Sequence, residues 1–255
     1  MSGNLVVSDL VQQFGGLVAL NHVNMEVNLG EIVGVIGPNG AGKTTLFNVI
    51  TGTYKATSGT VYLNGKQING LKPHEITRLG FARTFQNIRL FPKMTVLENV
   101  QMGMCCRAKA NLLDNVLHTG RKRRELAAQE KRALEILEIM GLTERKYAMP
   151  DSLPYGEQRK LEIARAMATD PSILLLDEPA AGMNEQETGE LMRTVRSLRD
   201  MGYTIILIEH DMKFVMNICD RIYVLNHGER IASGTPAEIQ KNELVIEAYL
   251  GKEED

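Results

Sequence analysis

Between Val18 and Asn28 apolar and polar residues alternate, with Val23, Met25 and Val27 set against Asn24, Glu26 and Asn28. That period predicts a strand with one face exposed. Ile32–Ile36 is an apolar run interrupted only by Gly34 and bounded by glycines, the pattern of a strand buried on both faces of a parallel sheet. A helix is predicted from Lys43 to Thr51. Val61–Leu63 with Asn64-Gly65 predicts a strand entering a turn.

The middle of the chain is helical in period. Thr95 and Glu98 have capping-box spacing. Arg121–Met140 carries Leu126, Ala133, Leu134 and Leu137 at helical intervals with charges between them. In the last third, Ile173–Leu176 reads as a buried strand and Asn184–Asp200 as a helix capped by Asn184 with Glu187. Thr204–Ile208 is another strand, and a helix starts near Asp211. Tyr223–Leu225 and Ile231–Ala232 form a strand pair, before Thr235-Pro236-Ala237-Glu238 opens a helix with proline at its first position. Strand–helix alternation predicts an α/β fold with a mainly parallel sheet. No linker or repeat divides it, so one unit with a helical insertion is expected.

Composition narrows the function. At 255 residues, 44% hydrophobic and 24% charged, the chain is globular rather than disordered. Lys plus Arg is 29 against 31 Asp plus Glu, a net charge of −2, which excludes chain-wide attraction to nucleic acid. The cations Arg121–Arg124 read as a solvated helix face. Cys105, Cys106 and Cys219 lack zinc spacing or an even number, which predicts free thiols in a reducing compartment. Met1–Leu10 lacks the pattern of a secretory signal, and no apolar run approaches the ~20 residues of a membrane span. A soluble chain on the cytoplasmic side is expected, with any membrane role exercised through partners.

Gly37-Pro38-Asn39-Gly40-Ala41-Gly42-Lys43-Thr44 matches G-x-x-x-x-G-K-[ST] in full. It lies between a predicted strand and a predicted helix, where backbone N–H groups and the helix start form a phosphate nest. Asn39, Gly40, Ala41, Gly42, Lys43, Thr44 and Thr45 are the candidate nucleotide contacts, with Lys43 on the phosphates and the Thr44 hydroxyl on Mg²⁺. Ile173–Leu176 then ends in Asp177 and Glu178. A parallel strand beside the phosphate loop would deliver Asp177 to the metal, and Glu178 suits a base that polarises water. Gln86, after the apolar stretch Phe81–Phe85, is a candidate for the metal shell or the water. His210, at a strand end, is a candidate for the γ phosphate. Tyr155, Gly156 and Gln158 open a helix whose N-terminus is a second anion site. That site faces away from the chain's own phosphate loop if both helices pack on one sheet.

This order of motifs resembles the ATP-binding cassette (ABC) ATPases over nearly the whole chain. Gln86 then corresponds to the Q-loop glutamine, Pro154–Gln158 to the signature and His210 to the switch histidine. Arg83-Thr84-Phe85-Gln86, Met94-Thr95-Val96-Leu97-Glu98-Asn99, Leu161-Glu162-Ile163-Ala164-Arg165 and Glu209-His210-Asp211-Met212 are similar to the ATP-binding subunit of branched-chain amino-acid importers, as is an insertion around Arg107–Lys122. The resemblance implies an N-terminal antiparallel β subdomain and a helical insertion. It divides the chain into a catalytic core (about 1–90 and 165–235), a helical subdomain (about 91–164) and a C-terminal tail (236–255). It implies ATP and Mg²⁺, adenine stacking on Phe14, and a head-to-tail dimer in which each site joins one phosphate loop to the partner's signature. It also implies two membrane permease subunits, served indirectly by an external solute-binding protein, and a place at the cytoplasmic face of the membrane.

The usual signature is L-S-G-G-Q, and this chain reads Pro154-Tyr155-Gly156-Glu157-Gln158. In that register Tyr155 replaces the serine and Glu157 brings a negative charge where glycine is usual. Asn184 stands where an aspartate is usual. These departures favour a heterodimer with a sister ATPase. A GTPase or small-molecule kinase is the rival enzyme class, and the absence of an N-K-x-D element speaks against the first. A non-transport cassette would bring tandem cassettes or long coiled coils. Within transport the alternative is an exporter ATPase such as that of lipopolysaccharide export.

Overall fold

Ile32–Ile36 forms strand β3, buried at all of its five positions, and its neighbours explain why. In the computed structural model, which describes residues 4–107 and 120–250, β3 lies inside a six-stranded sheet of order β10-β9-β3-β8-β7-β6. The partners are β6 (Phe81–Arg83), β7 (Ile173–Asp177), β8 (Thr204–Ile208), β9 (Arg221–Asn226) and β10 (Glu229–Gly234). All pairings from β9 to β6 are parallel, and β10 closes the edge antiparallel.

Side-chain alternation divides this sheet between two cores. Ile32, Ile36, Leu174, Leu176, Ile205, Leu207, Ile222 and Val224 face one side. Val33, Val35, Ile173, Leu175, Ile206, Ile208, Tyr223 and Leu225 face the other. Both faces are covered, so each strand reads as a continuous apolar run. Gly34 belongs to the first face, where a Cβ would lie 2.9 Å from Cys219 Sγ. The glycine lets helix α7 (Met212–Ile218) approach the sheet.

A four-stranded antiparallel sheet of order β2-β1-β4-β5 packs on the second core. It comprises β1 (Leu5–Phe14), β2 (Leu17–Val27), β4 (Ser58–Leu63) and β5 (Lys66–Gln67). The hydrophobic pattern identifies β2 and β4 but not β1. The β1–β2 register slips between Val7 and Leu10, Leu10 and Gln12, and Gln12 and Gln13, and Asp9 has φ 52°. Such bulges shift the inward face along the strand and erase a period of two.

Helices α1 (Lys43–Ile50), α2 (Pro73–Arg78), α3 (Val96–Met104), α4 (Gly120–Ile139), α5 (Tyr155–Met167) and α6 (Glu185–Asp200) follow in order. After α7 come α8 (Pro236–Ile239) and α9 (Glu243–Leu250). Three expected caps form: Thr95 with Glu98, Asn184 with Glu187, and Thr235 with Glu238 all close capping boxes. On α4, Ala133, Ile136 and Leu137 are buried, but Leu126 is 48% exposed. Among the described side chains of α4, only those of its second half meet the core, so helical spacing alone misplaces Leu126. Of the cations Arg121–Arg124, the Arg124 side chain is exposed, while the other three side chains and positions 108–119 of the insertion lie outside the described residues.

The strand bearing Asp177 differs from expectation in one respect. β8 lies between β3 and β7, so β7 is not the phosphate loop's neighbour. Parallel strands joined by long crossovers are not held adjacent by their connections, and a later strand can enter between them.

Candidate functional site

The chain leaves β3 through a turn that only glycine can make. Gly37 has φ 151°, and a Cβ there would fall 2.1 Å from the Leu225 carbonyl oxygen. Gly42 has φ 101° and forms the N-cap of α1, with no side chain capping the helix. A helix start of this kind, with no capping side chain, is a natural place for an anion. Lys43 folds back across the loop and donates from Nζ to Gly37 O at 2.6 Å and Pro38 O at 2.9 Å. Asn39, Gly40, Ala41, Gly42, Lys43, Thr44 and Thr45 line a cleft of about 570 Å³. Phe14 also lines the cleft and meets Tyr54 edge-on, with centroids 5.3 Å apart.

Across the cleft three predicted residues converge. Gln86 Nε2 donates to Glu178 Oε2 at 2.6 Å, and His210 Nε2 lies 2.7 Å from Glu178 Oε1. Glu178 has φ 46°, a left-handed conformation costing a non-glycine residue about 1–2 kcal/mol. Its N–H donates to Ile208 O at 2.9 Å, so the bond to β8 fixes the strained carboxylate at the cleft wall. All three side chains line the cleft.

Asp177 is placed differently. It is 6% exposed and sits behind the cleft wall, where Arg83 Nη2 donates to Oδ2 at 2.6 Å. The other arm of Arg83 donates from Nη1 to Asn48 Oδ1 at 2.8 Å. Arg83 enters the sequence reading only through family likeness. A cation three residues before Gln86 on a short strand carries no local signal for a partner at position 177.

Glu209 likewise enters the sequence reading only through family likeness. Its carboxylate accepts from Ala180 N at 2.7 Å and His210 N at 3.1 Å, holding the loops that follow β7 and β8. Burial pushes its carboxyl above the ordinary range, against those backbone N–H bonds. His227 and Gly228 complete the cleft from the β9–β10 turn; His227 has φ 45°, and a turn histidine gives no sequence hint of a site.

The start of α5 lies elsewhere. Gly156 borders a separate cavity of about 310 Å³ together with Pro154, Glu157 and Lys160. Tyr155 is 41% exposed, and Gln158 Nε2 turns back to Leu153 O at 2.9 Å. Neither Tyr155, Gly156 nor Gln158 lines the phosphate cleft.

A phosphate loop between a buried parallel strand and a helix, facing a carboxylate held by glutamine and histidine, defines a nucleotide-hydrolysing cassette. The chain belongs to the ABC transporter family, whose sequence profile matches residues 20–181. A second profile, described as a branched-chain amino acid ATP-binding cassette transporter, matches residues 229–255. The chain is 50% identical over 249 residues to the high-affinity branched-chain amino acid transport ATP-binding protein LivG of Escherichia coli strain K12, covering 97% of this chain and 98% of that one. It is 48% identical, with the same coverage, to the corresponding protein BraF of Pseudomonas aeruginosa. Among solved structures, the ADP conformation of an ATP-binding cassette of an ABC transporter superposes with a TM-score of 0.85. The two are 32% identical, with 99% of this chain and 100% of the other covered. The resemblance read from the motifs and the α/β fold class are borne out, and the chain is an ATPase of the transport-coupled class. No helix among the described residues is long and apolar enough to cross a membrane.

Proposed function

We propose that this chain is the ATP-hydrolysing subunit of a branched-chain amino-acid importer. The observation that carries the hydrolytic part is the Glu178 carboxylate, held on one oxygen by Gln86 and on the other by His210 at the phosphate cleft. The transport part is supported by half-identity to two branched-chain amino acid transport proteins along almost the full chain.

ATP enters with its base beside Phe14 and its phosphates on the first turn of α1. Lys43 exchanges its bonds to Gly37 O and Pro38 O for phosphate oxygens, a charge-assisted replacement of a neutral acceptor. Glu178 orients and polarises the attacking water as general base. Gln86 and His210 keep its carboxylate from rotating away. Thr44 and Gln86 bring hydroxyl and amide oxygens to the cleft, the hard donors that suit Mg²⁺, whereas Asp177, held behind the wall by Arg83, would reach the ion through water. With its amide nitrogen on Glu178, Gln86 would have its oxygen left to hold a metal. Mg²⁺, when bound there with the phosphates, neutralises charge that builds as the γ-phosphoryl leaves.

The α5 N-terminus, turned away from this cleft, serves the site of a second cassette in a head-to-tail dimer. A one-residue shift in the signature register fits the structure better than Tyr155 in the serine's place. Leu153 is 5% exposed and suits the motif's leucine, and Pro154 at the N-cap then occupies the serine's position, a place that favours serine. The hydroxyl is absent in this register. Glu157 lies 3.4 Å from Arg145, which offsets the charge it brings toward a phosphate. A partner with an intact signature would complete this chain's site, which is the heterodimer reading. Core, helical and tail segments then act as one ATPase unit at the cytoplasmic membrane face, driving two permease subunits supplied by a solute-binding protein.

The test is to purify the complex through a tag on this chain, reconstitute it in liposomes and add binding protein loaded with leucine, isoleucine or valine. ATP hydrolysis that rises with these solutes and not with a charged amino acid is the expected result. Hydrolysis indifferent to all of them would remove the substrate assignment.

A further inference from the structure

The second turn of α5 carries an arginine that the reaction described above does not use. Arg159 is fully buried, and a guanidinium leaves water only at high cost unless its donors are matched. Nη1 donates to Phe85 O at 2.7 Å and to Glu162 Oε2 at 2.9 Å. Nη2 donates to Gln86 O at 2.9 Å and to Glu178 O at 3.1 Å. Glu162 follows on the same helix, 1% exposed, and its other oxygen accepts from Phe85 N at 3.2 Å. One ion pair on α5 thus grips the backbone at Phe85 and Gln86 and the carbonyl of Glu178.

These grips fall on residues whose side chains must meet. Gln86 and Glu178 stand 92 positions apart and touch through a single 2.6 Å hydrogen bond. Each lies just beyond a strand end, where the sheet no longer sets its position. Arg159 supplies a common anchor for both. Its Nε is buried without a hydrogen-bond partner. A buried pair of this kind is often replaceable by apolar side chains at no loss of stability. Its geometry is therefore better explained by what it aligns than by what it stabilises.

We propose that Arg159, backed by Glu162, is a positioning residue that sets Gln86 and Glu178 in hydrolytic register and ties that register to the N-terminus of α5. A displacement of the α5 start is then felt directly at the carboxylate and the glutamine, with no intervening element. This inference rests on Glu178 acting as the base.

The experiment compares three variants in the complex purified through this chain, measuring ATP affinity and turnover separately. Arg159→Met with Glu162→Leu removes both charges together and keeps the volume, so that neither charge is left buried and unpaired. Its ATP affinity should stay within about twofold of wild type while turnover falls by roughly tenfold to a hundredfold, the scale of misplacing a reacting group by about 1 Å. Arg159→Lys keeps the charge facing Glu162 but loses the fork that spans three carbonyls. It should show the same split, and it decides the matter if the double variant does not fold. Turnover within about twofold of wild type, or affinity and turnover falling together, would overturn the proposal, because only a loss confined to turnover marks misalignment. Glu178→Gln is the control for the underlying reading. If it turns over normally, the base assignment fails. If it is inactive while the Arg159 variants are normal, only the positioning inference fails.

Discussion

Arg83 Nη2 lies 2.6 Å from Asp177 Oδ2, and both side chains are almost wholly removed from solvent. A carboxylate at this depth needs a cation beside it, and the same guanidinium also holds Asn48 on α1. The pair therefore ties β6, β7 and the phosphate-loop helix together behind the cleft.

Arg83→Met leaves the Asp177 charge buried and unpaired, which should cost about 3–5 kcal/mol of unfolding free energy. Adding Asp177→Asn should recover most of that loss, because no charge is then stranded. Urea denaturation of the two variants reads the difference directly. Equal stability of the single and double variants would show that the pair does not behave as a buried ion pair.

Glu178→Gln keeps the size of the side chain but removes its basicity. Nucleotide affinity should hold and turnover should fall by about 10²–10⁴. Calorimetric titration with ATP, paired with phosphate release, separates the two quantities.

Lys43→Ala removes the only cation lining the phosphate loop's own segment, residues 39–45. A hydrogen bond to a charged group contributes roughly 1.5–3 kcal/mol, so ATP should bind about 10–100 times more weakly. Unchanged affinity in a fluorescent-nucleotide assay would place the phosphates elsewhere.

Asn99 is completely buried. Its Oδ1 accepts from Phe91 N, and its Nδ2 lies within bonding reach of Phe91 O, Met94 O and Thr95 O. Asn99→Leu would strand these backbone groups at about 1–3 kcal/mol for an unsatisfied group. Thermal melting should fall. Amide exchange over residues 91–95 should accelerate more than exchange in β3.

Cys219 is buried against Gly34, and burial pushes its thiol far above the ordinary range. The thiolate is the reactive form, so a maleimide at neutral pH should spare Cys219 in the folded chain and label it after denaturation. Cys105 is exposed and should react in both states. Mass spectrometry of labelled peptides distinguishes them.

Much of the site was legible because its parts are local. The phosphate loop needs glycines, a lysine and a threonine within one turn, and the capping boxes need two residues three positions apart. Buried strands such as Ile173–Leu176 show as apolar runs whatever their neighbours. β1 was hidden because its bulges break the alternation that would reveal it. Arg83, Glu209 and Arg159 were hidden because a charged residue looks alike in sequence whether it faces water or holds a distant backbone.

The chain's one-dimensional pattern determined most of the core strands and the longer helices, β1 excepted, the capped helix starts, and that a phosphate nest follows Ile36, since each depends on neighbours within a few positions. Strand order, the entry of β8 between β3 and β7, and the meeting of Gln86, Glu178 and His210 were decided only in three dimensions. Those contacts join residues 32 to 92 positions apart, and their geometry follows from the packing of two covered sheet faces, which no local period encodes.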